Sequence, residues 1–255
     1  MAVDFRRDGV RSSPVWDVLS AVVSARAAAT GRTALDIVDV GGGTGGLAVP
    51  FAVLGHNVTV VDPSPDALAA AQRRAADAGA RLTSVQGEAA SLDSLVGPAD
   101  LVICHNVLEY VDEPAAAMSA IARVLRPSAT VSVLASNAVA AVLHRALAGR
   151  FAEARVLLIS GGTTPVDPPR TGGLPAPPFP PGRRFTLPEL TALLEQAGLR
   201  AGEAHGLRIF TGLVPGALLD GDAAATEALR ALEEAAASTP PLRDIAAQLH
   251  LLGHR

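Results

Sequence analysis

Lysine is missing altogether: all 21 basic residues of the 255-residue chain are arginine, which excludes Schiff-base chemistry on a lysine amine. Cysteine occurs once, as Cys104. That excludes an intramolecular disulfide and a cysteine-rich zinc site, and it fits a reducing, cytoplasmic setting. No metal centre is expected. No apolar run reaches the roughly 18 residues of a membrane-spanning helix. A secretory leader is not expected either, because Asp4 and Asp8 stand where positive charge is needed and Asp17 interrupts the apolar stretch Val15–Val23. Aromatic residues make up only 3% of the chain, whereas hydrophobic residues reach 49%, with alanine dominant. The net charge of −4 gives by itself no reason to expect nucleic acid. The length suits one sizeable α/β domain.

Along the chain, short apolar runs alternate with helical stretches. A helix is expected from about Pro14 to Ala29. Strands are expected at Leu35–Val40, Asn57–Asp62, Arg81–Gly87, Ala99–His105 and Thr130–Ala135. Between them lie helices at Leu47–Leu54, at Pro65–Ala78 behind a Ser64 cap, and from Pro114 to Leu125. This alternation predicts right-handed crossovers and a mostly parallel sheet. After a helix at Val139–Leu147 the pattern breaks. Eight of the 19 prolines fall between Pro165 and Pro181, so 149–184 reads as a Pro-rich insertion, or lid, after strand five of a single domain. A helix at Leu187–Ala197, strand six within Arg200–Val214, a helix at Ala223–Ala237 and a last, antiparallel strand at Gln248–His254 complete a seven-stranded sheet.

The first strand runs into Asp39-Val40-Gly41-Gly42-Gly43-Thr44-Gly45-Gly46. Glycine permits positive φ there and lets backbone touch a ligand, and the amides lie at a helix N-terminus. Two fingerprints overlap. Gly41, Gly43 and Gly46 satisfy the dinucleotide pattern; Gly41, Gly43 and Gly45 behind Asp39 satisfy that for S-adenosylmethionine (SAM). Asp62, closing strand two, can accept both ribose hydroxyls in either case. The acid at Asp39 favours SAM, whose sulfonium and ammonium need negative charge where a pyrophosphate would be repelled. A nicotinamide-dependent oxidoreductase and a non-catalytic SAM-binding protein remain the alternatives.

Asp100 through Val111 forms a buried strand running into a polar edge, and Leu125-Arg126-Pro127 ends the next helix. Both resemble the post-sheet motifs of class I SAM-dependent methyltransferases, a Rossmann-like α/β fold, although Ser128-Ala129 stands where Gly-Gly is common. More narrowly, the Gly-rich turn, His105 through Val111, Asn137 through Gly149-Arg150-Phe151, Gly206-Leu207-Arg208-Ile209-Phe210, and Leu249–His254 resemble one family. Its members are bacterial tRNA methyltransferases that esterify the carboxylate of 5-carboxymethoxyuridine at the wobble position. The resemblance implies that Arg11 pairs with the SAM carboxylate and that Gly41 and Gly42 contact the cofactor through backbone. It further implies that Asp62 holds the ribose, Glu88 and Ala89 sit at the adenine edge, and His105 lies beside the methionine moiety. Trp16 reads as a core or lid anchor rather than a stacking platform.

A carboxylate acceptor is already ionised near neutral pH and needs no general base, so alignment and desolvation suffice. An arginine would recognise it, from among Arg208, Arg170, Arg183 and Arg184. A hydroxyl acceptor would instead call on His105, His144 or His205 as base. Cys104, inside a buried strand, is no nucleophile. The lysine-rich tract of tRNA-modifying relatives is missing, but Arg145, Arg150, Arg155, Arg170, Arg183 and Arg184 outnumber Glu153 and Asp167 between residues 145 and 184. That basic stretch on an acidic remainder would steer a tRNA's phosphates to one face; a small-molecule acceptor is the alternative partner.

Overall fold

The computed structural model describes residues 14–161, 182–214 and 223–255. Its strands are β1 (Asp36–Val40), β2 (Asn57–Asp62), β3 (Thr83–Gln86), β4 (Ala99–His105), β5 (Leu125–Ser136), β6 (Arg200–Leu207) and β7 (Gln248–His254). They form one seven-stranded sheet in the order β3-β2-β1-β4-β5-β7-β6. The pairs from β3 through β5 are all parallel, and β7 is antiparallel, as the sequence predicts. Helices intervene: α1 (Pro14–Thr30), α2 (Ala48–Val53), α3 (Pro65–Asp77), α4 (Leu92–Leu95), α5 (Pro114–Val124), α6 (Ala138–Leu147), α7 (Phe151–Ile159), α8 (Leu187–Gln196) and α9 (Ala223–Ala236). None is long and apolar enough to cross a membrane.

The strands form because their side chains are apolar on both faces. Val38, Val40, Val60, Val61, Val102 and Ile103 are all buried, which a parallel sheet covered on both sides demands. Helix starts obey local chemistry. Ser64 Oγ accepts the Ala67 amide at 3.3 Å, and Asn137 Oδ1 accepts that of Val139 at 2.9 Å. At α8, Thr186 and Glu189 cap each other: the Thr186 amide donates to the Glu189 carboxylate at 2.7 Å and the Glu189 amide to Thr186 Oγ1 at 3.4 Å. Trp16 is in the core, its ring 4.7 Å from that of Phe51.

Packing divides the chain into two compact units. One contains the chain through Leu134 with Thr191–Glu203 and Leu251–Arg255; the other contains Ala135–Leu190 and Ala204–His250. In the first unit, at the starting end of β1 and β4, the fully buried Asp100 carboxylate meets Arg32 at 2.6 Å, Arg126 at 3.1 Å and Arg26 at 3.2 Å. It also accepts the Asp36 amide at 3.0 Å. A buried carboxylate is tolerable only when surrounded in this way.

The structure adds local detail to these expectations. Strand five starts at Leu125 rather than Thr130, its pairing with β4 shifting register between Ala99 and Leu101. Ser128, standing where glycine is common, takes φ 59° and donates its amide to the Arg255 carbonyl, so the turn forms without glycine. The stretch 149–184 opens with the helix α7, because its prolines begin only at Pro165; residues 162–181 lie outside those described. Strand six lies within the expected stretch and stops at Leu207, where Arg208 turns left-handed.

Candidate functional site

In strand order the chain runs outward from β1 through β2 to β3, then crosses back to place β4 on the other side of β1. Ligands of open α/β sheets bind at such a switch point, outside the carboxyl ends of the strands. The sequence puts its two most unusual segments there: the Gly-rich turn after β1 and His105-Asn106-Val107 after β4.

Close approach explains the glycines. Gly41 has φ 63° and donates its amide to the Val61 carbonyl at 2.7 Å. A Cβ on it would run into Val107, so the two loops pack against each other through the missing side chain. A Cβ on Gly42 would lie 2.6 Å from the Asp39 carboxylate. Gly43 (φ 53°) and Gly46 have nothing within 4 Å of a built Cβ, leaving open space above them.

The two acids are placed differently. Asp62, 8% exposed at the end of β2, accepts the Gly43 amide on Oδ2 and the Ser64 amide on Oδ1, both at 2.9 Å. Each oxygen keeps lone-pair capacity for a further donor. Asp39 is buried behind Gly42 and accepts the Ala48 amide. Burial pushes its carboxyl up to about 7, against the pull of the Ala48 amide and helped by the charge of Asp62. Its negative charge therefore lies behind the turn's backbone, not on the open face.

Glu88 and Ala89 follow β3 at the start of a single 3-10 turn, Ala89–Ser91. Glu88 is exposed and its side chain caps nothing; Ala89 is buried. The Gly87 amide donates to the Asp62 carbonyl at 3.2 Å, which puts this turn beside the ribose candidate. At the end of β4, His105 is half-buried with Nε2 2.7 Å from Ser132 Oγ, and desolvation holds its imidazole down to about 3. Asn106 is left-handed at φ 55° and donates its amide to the Leu134 carbonyl. Burial raises the Cys104 thiol far above its ordinary range, so it is not a nucleophile.

Thus Asp39, Gly41, Gly42, Gly43, Asp62, Glu88, Ala89 and His105 come together in the first unit. Arg11 and Arg170 lie outside the described residues. In the second unit Arg208 is exposed, Arg183 half-buried, and Arg184 buried at 3% exposure with Nη1 donating to the Gly182 carbonyl at 3.3 Å. Sequence reasoning missed Ser132 as the partner of His105. A single hydroxyl inside the apolar run 131–135 was the available signal. It also missed Glu233, discussed below, for which no local signal exists.

Comparison with known proteins bears on the fold and the domain type. Residues 37–128, which span β1 to the start of β5, match the family described as a methyltransferase domain. The tRNA 5-carboxymethoxyuridine methyltransferase of Escherichia coli (strain K12) is 31% identical over 145 residues, covering 56% of this chain and 54% of that protein. The ubiquinone biosynthesis O-methyltransferase of Xylella fastidiosa (strain 9a5c) is 29% identical over 174 residues, covering 68% and 63%. The chain thus matches between half and two thirds of the length of these relatives. Among solved structures, magnesium protoporphyrin IX methyltransferase from Synechocystis PCC 6803, with bound SAH, superposes at a TM-score of 0.54 with 19% identity, covering 100% of this chain and 89% of that one. The fold is that of class I methyltransferases.

Proposed function

We propose that this chain, which carries a class I methyltransferase domain, transfers the methyl group of SAM to a carboxylate. The observation that carries the cofactor assignment is the cradle itself. Backbone at Gly41 and Gly42 comes too close to Val107 and Asp39 for any side chain, and a carboxylate fixed by two amides stands at the end of the next strand. When bound, SAM supplies a methyl carbon on a sulfonium leaving group, which an acceptor carboxylate can take by in-line displacement without giving up a proton.

The remaining work falls to protein groups. Asp62 accepts the ribose hydroxyls with the lone pairs its amide bonds leave over. Gly41 and Gly42 contact the cofactor through backbone, Glu88 and Ala89 border the adenine, and Arg11 takes the methionine carboxylate. Asp39 supplies negative charge from behind the turn. A pyrophosphate would meet that charge as repulsion, which is the argument against a nicotinamide dinucleotide. His105, neutral at pH 7 and tied to Ser132, lies beside the methionine moiety.

The acceptor is read from basicity. A general base serves best when its pKa lies near the working pH. His105, at about 3, is far too weak. His144 is also held below its ordinary value, by partial burial and then by the charges of Arg208 and Arg145. A cradle whose own histidine is so weak a base suits an acceptor that is already ionised. Among the arginines proposed to hold it (Arg170, Arg183, Arg184 and Arg208), Arg208 is the exposed one in the described part of the chain.

The specific acceptor we favour is the carboxylate of 5-carboxymethoxyuridine at a tRNA wobble position, supported by the Escherichia coli relative and by the arginines between residues 145 and 184. A hydroxyl on a small molecule is the second reading, favoured by the ubiquinone-pathway relative, which matches more of this chain. Calorimetry with SAM, S-adenosylhomocysteine and NAD tests the cofactor; binding of NAD alone overturns the assignment. Mass spectrometry of wobble nucleosides from wild-type and deletion cells tests the acceptor. Loss of a methyl-ester nucleoside supports tRNA, and an unchanged nucleoside profile rejects it.

A further inference from the structure

Arg208 sits in a backbone conformation that arginine adopts only under constraint, with φ 57°. The constraint comes from both sides. Before it, Gly206 lies so close to Arg243 and Ala246 that a Cβ would meet the Arg243 carbonyl at 2.6 Å, and its amide donates to the Ala237 carbonyl at 2.7 Å. After it, three consecutive amides turn onto one side chain. Those of Ile209, Phe210 and Thr211 donate to the Glu233 carboxylate at 2.7, 2.9 and 2.8 Å, and Thr211 Oγ1 adds a fourth bond at 2.7 Å. Burial alone would raise the Glu233 carboxyl, but the Thr211 hydroxyl and the three amides hold it below its ordinary value, so it stays ionised.

This clamp presents a cation to solvent. Arg208 is exposed, and among the described residues no carboxylate lies within ion-pair distance of its guanidinium. Two more basic groups from α6 lie near it. A Cβ on Gly212, in the same turn, would strike the His144 ring, and the charges of Arg208 and Arg145 both act on that ring. Arg145 has its own partner, Glu153, at 3.6 Å. If only the turn were needed, glycine at 208 would give it without strain. A strained arginine, locked by a carboxylate from a helix that begins 15 residues later, makes sense as a positioned cation.

We propose that the Arg208–Thr211 turn is a carboxylate-binding element, with Arg208 as the contacting cation, His144 beside it, and Glu233 as the positioning residue. The identity of the ligand rests on the carboxylate reading above; the anion site itself does not. Its test therefore omits SAM. The full chain, with labelled histidine, is titrated with methoxyacetate and, separately, with inorganic phosphate while the His144 ring signals are followed. A saturable shift with methoxyacetate that Arg208→Gly abolishes is expected. Glu233→Ala should weaken it at least tenfold, and Glu233→Gln, which can still accept amides, should restore part of the loss. SAM affinity should be unchanged in both weakened variants. No His144 shift with either anion overturns the site, and a shift with phosphate alone overturns its assignment to a carboxylate. If Glu233→Ala does not fold, as judged by circular dichroism, Arg208→Gly and Glu233→Gln decide the matter.

Discussion

Two turns in this molecule are built on the same plan with opposite economies. The turn after β1 and the turn after β6 each present backbone to a carboxylate: Asp62 takes the amide of Gly43, and Glu233 takes those of Ile209, Phe210 and Thr211. In the first, glycines at φ 63° and 53° make the left-handed geometry cheap and leave the backbone bare. In the second, arginine bears the same kind of geometry at φ 57°. Bare backbone suits a ligand held by shape and amides. A strained side chain suits a ligand held by charge. The difference teaches that a turn's residue type, more than its conformation, tells which kind of partner it meets.

The sharpest way to break this comparison is Gly41→Ala. The new Cβ meets Val107 at a φ that alanine disfavours, so we expect no detectable SAM binding and a stability loss of about 2–4 kcal/mol, read by calorimetry and urea unfolding. Normal binding in that variant would mean that the first turn is no more demanding than the second. Asp62→Ala should cost roughly 2–4 kcal/mol of SAM affinity while leaving a folded protein; unaltered affinity would show that the ribose is held elsewhere.

Asp39 sharpens the contrast through pH. Its carboxyl must lose a proton to attract a cation, so SAM affinity should rise towards a plateau as pH passes about 7, by up to about tenfold per unit below that point. Asp39→Asn should flatten the profile. The signs for stability also follow. Asp39 has a raised pKa, so its contribution is complete below its ordinary 3.8 and is lost as pH rises through about 7. His105 runs the other way: its contribution is complete above its ordinary 6.5 and is lost as pH falls towards about 3. Urea midpoints of Asp39→Asn and His105→Asn should therefore change in opposite directions between pH 7 and 4, relative to the wild type.

The smallest effect belongs to the second turn. Arg208→Gly should stabilise the fold by up to about 1 kcal/mol, by relieving the left-handed backbone, while weakening binding of the anion at this turn. A loss of stability instead would mean that the arginine side chain, rather than the Glu233 clamp, holds the turn.

Much of the first turn could be read directly. β2, β4 and β7 have the bounds the sequence predicts, and the cluster from Asp39 to His105 assembles at the switch point, because an apolar strand followed by glycines is a local signal. Asp39 was legible as an acid but not as one that stands behind the turn, since its direction depends on α2 packing and on the Gly42 contact. Arg208 was visible as an arginine in a motif. That β6 ends there was not, because the residue that stops it is Glu233, one of two adjacent glutamates in an otherwise ordinary amphipathic helix.

By itself, the sequence determined the periodic elements, the crossover order and the glycine positions, because backbone sterics and the hydrophobic pattern act over a few residues. Only the tertiary structure decided which carboxylate holds which amides, where the charge of Asp39 lies, and that desolvation lowers the basicity of His105. Those depend on desolvation and on hydrogen bonds between residues distant in the chain, and neither leaves a mark in local composition.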